Sequence, residues 1–251
     1  MKPKAVIRVL ETPADLFRAA AAEFAQLATT AIQDRGRFAV ALSGGSTPKS
    51  LYQLLASGAI PGIAWDRVCF FWGDERHVPP DDPESNYRMA KEALLSRVPA
   101  PTGNIFRIHG EEQSAASAAE AYESDLKKFF HLGPGEFPHF DLVLLGMGPD
   151  GHMASLFPGS AGLEEKKRLV VANWVEKFKT DRITLTLPVL NHARSVIFLV
   201  SGAGKTEALQ AVFSDTEEGP PAKMVSPENG RLLWLLDRAA ATDLPAQARA
   251  G

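Results

Sequence analysis

The sequence predicts a doubly wound α/β fold, with one mostly parallel central sheet and helices on both of its faces. Three observations point there. Short apolar, β-branched runs alternate with helix-patterned segments along the chain. Several runs are apolar throughout, as in Val196-Ile197-Phe198-Leu199-Val200, which suits strands covered on both faces. A length of 251 residues, 45% hydrophobic and 23% charged, suits one globular domain over 1–251 with a substantial core.

Taken in order, Ala5 to Leu10 reads as the first strand. Pro13 to Asp34 reads as a helix that Thr12 can cap and Pro13 can open. Strands follow at Phe38 to Leu42, Val68 to Trp72, Phe140 to Leu145, Leu169 to Ala172, Ile183 to Leu187, Val196 to Val200 and Leu232 to Leu236. Between them, Pro48 to Ala56, Tyr87 to Ser96, Ser114 to Phe130 and Lys205 to Phe213 carry helical spacing. Pro79 to Pro83 and Gly133 to Gly135 read as rigid loops within the domain, and the Ala-rich Leu244 to Gly251 as a frayed end. No repeat or linker divides the chain.

Composition narrows the function classes. Lys and Arg total 27 against 30 Asp and Glu, a net charge of −3, so the basic excess of a nucleic-acid binder is missing. No run approaches the ~20 apolar residues that span a bilayer, and the first residues lack the apolar core of a secretory signal. These features describe a cytoplasmic protein without nucleic-acid or membrane partners. The one cysteine, Cys69, lies in an apolar run, which excludes an internal disulfide and a cysteine metal cluster. The histidine spacing offers no metal site, and no cofactor is required.

Ligands of an open parallel sheet bind at the carboxyl ends of its strands, so the loops there carry the argument. After Phe38 to Leu42 comes Ser43-Gly44-Gly45-Ser46-Thr47-Pro48 and then a helix. Gly44, Gly45, Ser46 and Thr47 thus read as a phosphate cradle, with amides and helix dipole converging on an anion. After Val68 to Trp72 comes Gly73-Asp74-Glu75-Arg76, read as a charged loop, with Ser85-Asn86-Tyr87 opening the next helix. Arg76 offers a bidentate fork for a phosphate, while Asp74, Glu75 and Asn86 are candidate partners for it or for sugar hydroxyls.

The third loop, Gly146-Met147-Gly148-Pro149-Asp150-Gly151-His152, is the densest. His152 has the chemistry of a general base near neutral pH, Asp150 can fix its tautomer, and Gly151 lets the backbone approach a ligand. Arg182, at the start of one strand, and Lys205, after another, are further candidate anion contacts. Three likenesses are set aside. The G-x-G-x-x-G match at Gly146 to Gly151 meets Pro158 too soon for a dinucleotide-binding helix. Gly204-Lys205-Thr206 lacks the first glycine of a P-loop, whose position holds Leu199. Ser43, Asp150 and His152 run in hydrolase-triad order, but Ala41 replaces the first glycine of a nucleophile elbow.

Together, Ser-Gly-Gly-Ser-Thr-Pro, Gly-Asp-Glu-Arg-x-Val-Pro with Ser-Asn following, and Gly-Met-Gly-Pro-Asp-Gly-His-x-Ala-Ser-Leu-Phe-Pro-Gly resemble the 6-phosphogluconolactonases. The tail from Pro221-Ala222-Lys223 to Trp234 and Asp237 also fits. The related glucosamine-6-phosphate deaminases share Asp-Gly-His but continue differently from Ala154-Ser155-Leu156-Phe157-Pro158. One departure is Met153, where these lactonases usually carry Thr, so a hydroxyl available for a substrate contact is expected to be lost while His152 stays in place.

The resemblance implies hydrolysis of 6-phospho-D-glucono-1,5-lactone to 6-phosphogluconate in the oxidative pentose phosphate pathway, with His152 activating water. Two rivals stand beside it. A sugar-phosphate isomerase or glucosamine-6-phosphate deaminase would need a second acid or base, with Glu75 or Asp74 available. A non-catalytic sugar-phosphate sensor would keep the cradle but have no use for the base.

Overall fold

The computed structural model describes residues 5–216 and 218–244; the expected fraying of the C-terminal residues falls mostly outside these. Its main sheet has six strands, all paired in parallel, in the order β1-β9-β8-β5-β2-β3. These are β1 (Val6–Leu10), β2 (Phe38–Leu42), β3 (Val68–Trp72), β5 (Leu142–Leu145), β8 (Ser195–Val200) and β9 (Arg231–Asp237). Every residue of β2, β3, β5 and β8 is buried. Full burial follows from the apolar runs, because a side chain on either face must be covered.

Helices provide that cover on both faces. α1 (Pro13–Arg35) starts where Thr12 accepts from the Asp15 amide and ends on Gly36, whose φ of 73° closes the helix. Its Phe24 meets Phe38 edge-on at 5.2 Å, and Trp65 bridges Phe24 to Phe70 of β3. Phe71, the next residue of β3, points to the opposite face. There it stacks on Phe106 at 4.7 Å and meets Phe129 and Phe130 of α4 (Ala115–Phe130). α4 also closes the sheet edge: the Tyr122 hydroxyl accepts from the Trp72 amide at 2.8 Å and donates to the Trp72 carbonyl at 3.1 Å.

Not every strand joins this sheet. The segments expected at Leu169 to Ala172 and Ile183 to Leu187 form β6 (Val170–Val175) and β7 (Thr180–Leu185), which pair antiparallel in a separate three-stranded sheet. Its third strand is β4 (Asp74–Arg76), the segment expected to be a loop. Its three charged residues carry no apolar signal; they become a strand because β7 supplies an antiparallel partner. Gly73 joins the two sheets. Its amide donates to Leu42 O at 2.8 Å in the main sheet, and its carbonyl accepts from Leu185 N at 2.8 Å in the second. Residues Tyr87 to Ser96, expected as one helix, form α3 (Asn86–Ala90) and then a π-helical turn over Lys91–Leu95. α2 (Ser46–Ala56), α5 (Leu187–Asn191) and α6 (Thr206–Val212) are the other α-helices among the described residues. Among the described residues, no helix is long and apolar enough to cross a membrane.

Replacing Tyr122 by Phe strands the buried Trp72 amide and carbonyl, at a cost of about 1–3 kcal/mol. Urea denaturation should show a lower midpoint with an unchanged slope; an unshifted midpoint would show that the Tyr122 bridge contributes nothing.

Candidate active site

At the carboxyl edge of the main sheet lies a cleft of about 370 Å³. Its lining comes from 43–48 after β2, Asp74 and Arg76 of β4, Asn86 of α3, 146–157 after β5, Phe178 and Arg182 of the β6–β7 hairpin, and 199–205 at the end of β8. Parallel pairing sets this convergence, because every strand of the main sheet ends on the same side.

His152 sits in a tight turn. Gly148 N donates to His152 O at 2.9 Å, Gly151 N donates to Gly148 O at 3.0 Å, and Gly151 takes a φ of 72°. The turn points Asp150 and His152 the same way, so His152 Nδ1 meets Asp150 Oδ1 at 2.5 Å. Gly148 makes room for the pair, since a Cβ there would stand 2.0 Å from His152 Nδ1 and 2.6 Å from Asp150 Oδ1. Burial opposes the Asp150 charge, but the His152 hydrogen bond and charge outweigh it and hold the carboxyl below its ordinary range. With Nδ1 committed to Asp150, Nε2 is the nitrogen left to accept a proton. Phe157 stacks on the other side of the imidazole at 4.0 Å between ring centroids.

The cations gather in the same cleft. Arg76 of β4 and Arg182 of β7 stand directly opposite each other in the antiparallel ladder, an arrangement like charges disfavour. Among the described residues neither makes an ion pair with an acid, and the Nε of each is buried without a hydrogen-bond partner. Arg76 donates from Nη1 to Glu84 O, and Arg182 lies over the Phe178 ring at 5.3 Å. Burial and then the charge of Arg76 lower the pKa of Arg182, while burial lowers that of Lys205. A bound dianion would relieve all three cations.

The glycine loop faces them. α2 begins at Ser46 with Gly45 as its cap, at φ 101°, and no side chain caps its first amides. Neither Ser46 nor Thr47 serves as a simple helix cap, so the cradle amides keep their donors. Gly44 lies against the Asn86 amide, where a Cβ would meet Asn86 Oδ1 at 1.9 Å.

Not every candidate lines the cleft. Glu75 is 2% exposed and accepts from the amides of Arg76, Asn86 and Tyr87 and from the Ser85 hydroxyl, at the start of α3. Burial pushes its pKa up despite those donors. Gly151 packs against the C-terminal segment, with Pro220 filling the space of its missing side chain and its carbonyl accepting from Ala222 N at 3.0 Å. Asp150 acts from behind His152. Asp74 does line the cleft, but Ser155 and Asn86 hydrogen-bond its carboxylate at 2.6 and 3.3 Å. Met153 is fully buried in the core, so the exchange of Thr for Met at that position removes no hydroxyl from the cleft.

Three lining residues carried no sequence signal of their own. Phe157 and Phe178 read as ordinary apolar residues, and Ser201 as a turn. The Ser201 hydroxyl donates to Asp237 Oδ2 at 2.5 Å, and Asp237 also accepts from the Gly202 and Ala240 amides. That buried carboxylate holds the Lys205 loop in place. Among the described residues, no group of three or more His, Cys, Asp and Glu is arranged to hold a metal ion.

A cleft of this kind, with a carboxylate-oriented imidazole and unneutralised cations at the carboxyl edge of a parallel sheet, belongs to α/β enzymes acting on small anionic substrates. Comparison with known proteins makes the assignment narrower. The model of the glucosamine-6-phosphate isomerase/6-phosphogluconolactonase family matches residues 11–234, and the chain belongs to that family. It is 48% identical over 217 residues to a 6-phosphogluconolactonase of Nostoc sp., covering 86% of this chain and 88% of that one. Against a 6-phosphogluconolactonase of Synechocystis sp. it is 44% identical over 218 residues, with the same coverage. The structure of a 6-phosphogluconolactonase from Trypanosoma cruzi superposes with a TM-score of 0.88 at 34% identity, covering 98% of this chain and 99% of the other.

The Gly148 site yields a direct expectation. Gly148→Ala forces the His152 ring away from Asp150, so the downfield Nδ1 proton resonance of that short hydrogen bond should disappear from the NMR spectrum. A resonance retained at its parent position would contradict the packing described here.

Proposed function

We propose that this protein hydrolyses 6-phospho-D-glucono-1,5-lactone to 6-phospho-D-gluconate with water activated by His152. The observation that carries the reading is the combination, in one cleft, of a carboxylate-oriented imidazole with two opposed arginines that lack acidic partners. Relatives and structural neighbours named 6-phosphogluconolactonase support the same substrate.

His152 Nε2 takes a proton from water as its oxygen bonds to the lactone carbonyl carbon, and the carbonyl becomes an oxyanion. Amides of the glycine loops and the cationic lining stabilise that charge. Collapse of the tetrahedral intermediate breaks the bond to the ring oxygen, which receives the proton back from His152. Phosphate binding falls to the α2 amides with Arg76, Arg182 and Lys205. Ser43 is not read as a nucleophile: its Oγ is buried and makes no hydrogen bond to His152 that would activate it. The acid-base rivals fare worse, because Glu75 is engaged by four donors away from the cleft and both Asp74 oxygens are already bonded.

The test is a coupled assay on freshly generated lactone, with spontaneous hydrolysis subtracted. The parent should prefer the phosphorylated lactone to gluconolactone. His152→Ala should lose on the order of 10² to 10⁴ in turnover while remaining folded. Arg76→Ala should lose about ten- to a hundred-fold in kcat/KM on the phosphorylated lactone only. Near-parent turnover in folded His152→Ala would refute the base.

Lys205 adds a pH dependence. Its lowered pKa means its charge is lost, as pH rises, before that of an ordinary lysine. Calorimetric affinity for 6-phosphogluconate should therefore fall across the alkaline range, and Lys205→Arg should flatten the fall. An equal fall in the Arg variant would remove Lys205 from the binding site.

A further inference from the structure

Ser155 commits every polar group it has, each to a different strand of the second sheet. Its hydroxyl donates to Asp74 Oδ2 on β4 at 2.6 Å, and its amide donates to Thr184 Oγ1 on β7 at 3.3 Å. Its carbonyl accepts from Asn173 Nδ2 on β6 at 2.8 Å. Ser155 and Asn173 are each 1% exposed and Thr184 is 0% exposed, so water cannot replace these partners. Ala154, just before, takes a left-handed φ of 47°, a conformation that persists in a non-glycine residue only where the surroundings impose it.

The two bodies joined in this way share the proposed site: the main sheet carries His152, the α2 amides and Lys205, and the second sheet adds the arginine pair. His152 rides on the loop three residues before Ser155, whereas Arg76 and Arg182 belong to β4 and β7. A phosphorylated lactone presents its carbonyl carbon to the first and its phosphate to the second. Two further contacts lie at the β6–β7 hairpin, where Lys177 Nζ stands 3.7 Å from Asp150 Oδ2 and Phe178 meets Phe157 edge-on at 6.0 Å. Lys177 and Phe178 are exposed, and exposed side chains of that kind define a position poorly.

We propose that Ser155 is a positioning residue that fixes the distance between the His152 base and the Arg76–Arg182 pair, so that phosphate binding aligns the carbonyl with the base. The proposal rests on the lactone reading above. An alignment error of about 1 Å costs on the order of 10²-fold in rate even when binding is intact. The loss therefore falls on kcat, and only for a substrate that engages both ends.

The experiment compares kcat and KM on 6-phosphogluconolactone and on unphosphorylated gluconolactone, for the parent, Ser155→Ala and Thr184→Val. Ser155→Ala should lower kcat on the phosphorylated lactone on the order of 10- to 100-fold, with its KM within about twofold. Its kcat/KM on gluconolactone should stay within about twofold of the parent, because that substrate has no phosphate to register against the arginines. Thr184→Val, nearly equal in volume, should move in the same direction by less, and it decides the question if Ser155→Ala fails to fold. An equal fall on both lactones, or a change in KM alone, would make Ser155 a structural residue and overturn the proposal. A parent inactive on both lactones would instead refute the lactone reading, and the proposal with it.

Discussion

The parallel ladder through β2, β5 and β8 is the constraint on which the rest depends. Each strand runs in the same direction, so the loops that follow them, Ser43 to Gly45, Gly146 to His152 and Ser201 to Lys205, must emerge at one edge however far apart they lie in sequence. Both faces of the ladder are covered, by α1 with Trp65 on one side and the Phe71, Phe129 and Phe130 cluster on the other. A close-packed frame of this kind resists small displacements, which is what a base and an anion site acting on one substrate require.

Electrostatics then gives the cleft its chemistry. Asp150 lies close enough to His152 to hold one tautomer, and it remains ionised because the imidazole outweighs its burial. Across the cleft the opposite rule applies. Arg76 and Arg182 face each other, partly desolvated and without acids, so the folded chain carries a repulsion that a phosphate would convert into attraction.

Much of this was legible in the sequence, for reasons that differ by element. Phe38 to Leu42 and Val68 to Trp72 were read to the residue, because runs apolar on both faces, bounded by glycine or polar residues, have little freedom to be anything else. The Asp150–His152 pair could be read because two residues of a glycine turn must lie close together. Asp74 to Arg76 could not be read as a strand, since its charges are supported by a ladder with β7 that is more than a hundred residues distant in the chain. β6 and β7 were visible as strands but not as a second sheet. Sheet membership is a matter of non-local pairing, although the inward turn of Asn173 and Val175 against the exposed Ala172 and Trp174 is the alternation of a one-sided sheet. Glu75 and Gly151 were expected at the substrate because charge and glycine after a strand look alike whether they face a ligand or a neighbouring segment. Phe157 was quoted as part of a motif but not read as a site residue, since an aromatic residue reads as core even when its ring stacks on a cleft histidine.

The proposed hydrolysis requires a single arrangement, with base and anion site at opposite ends of one ligand. A crystal structure of the protein with 6-phosphogluconate bound tests it most directly. The expected result places the C1 carboxylate beside His152 Nε2 and the phosphate within hydrogen-bond distance of the α2 amides and the arginine pair. A ligand bound in the reverse direction, or with its phosphate clear of Arg76, Arg182 and Lys205, would contradict it.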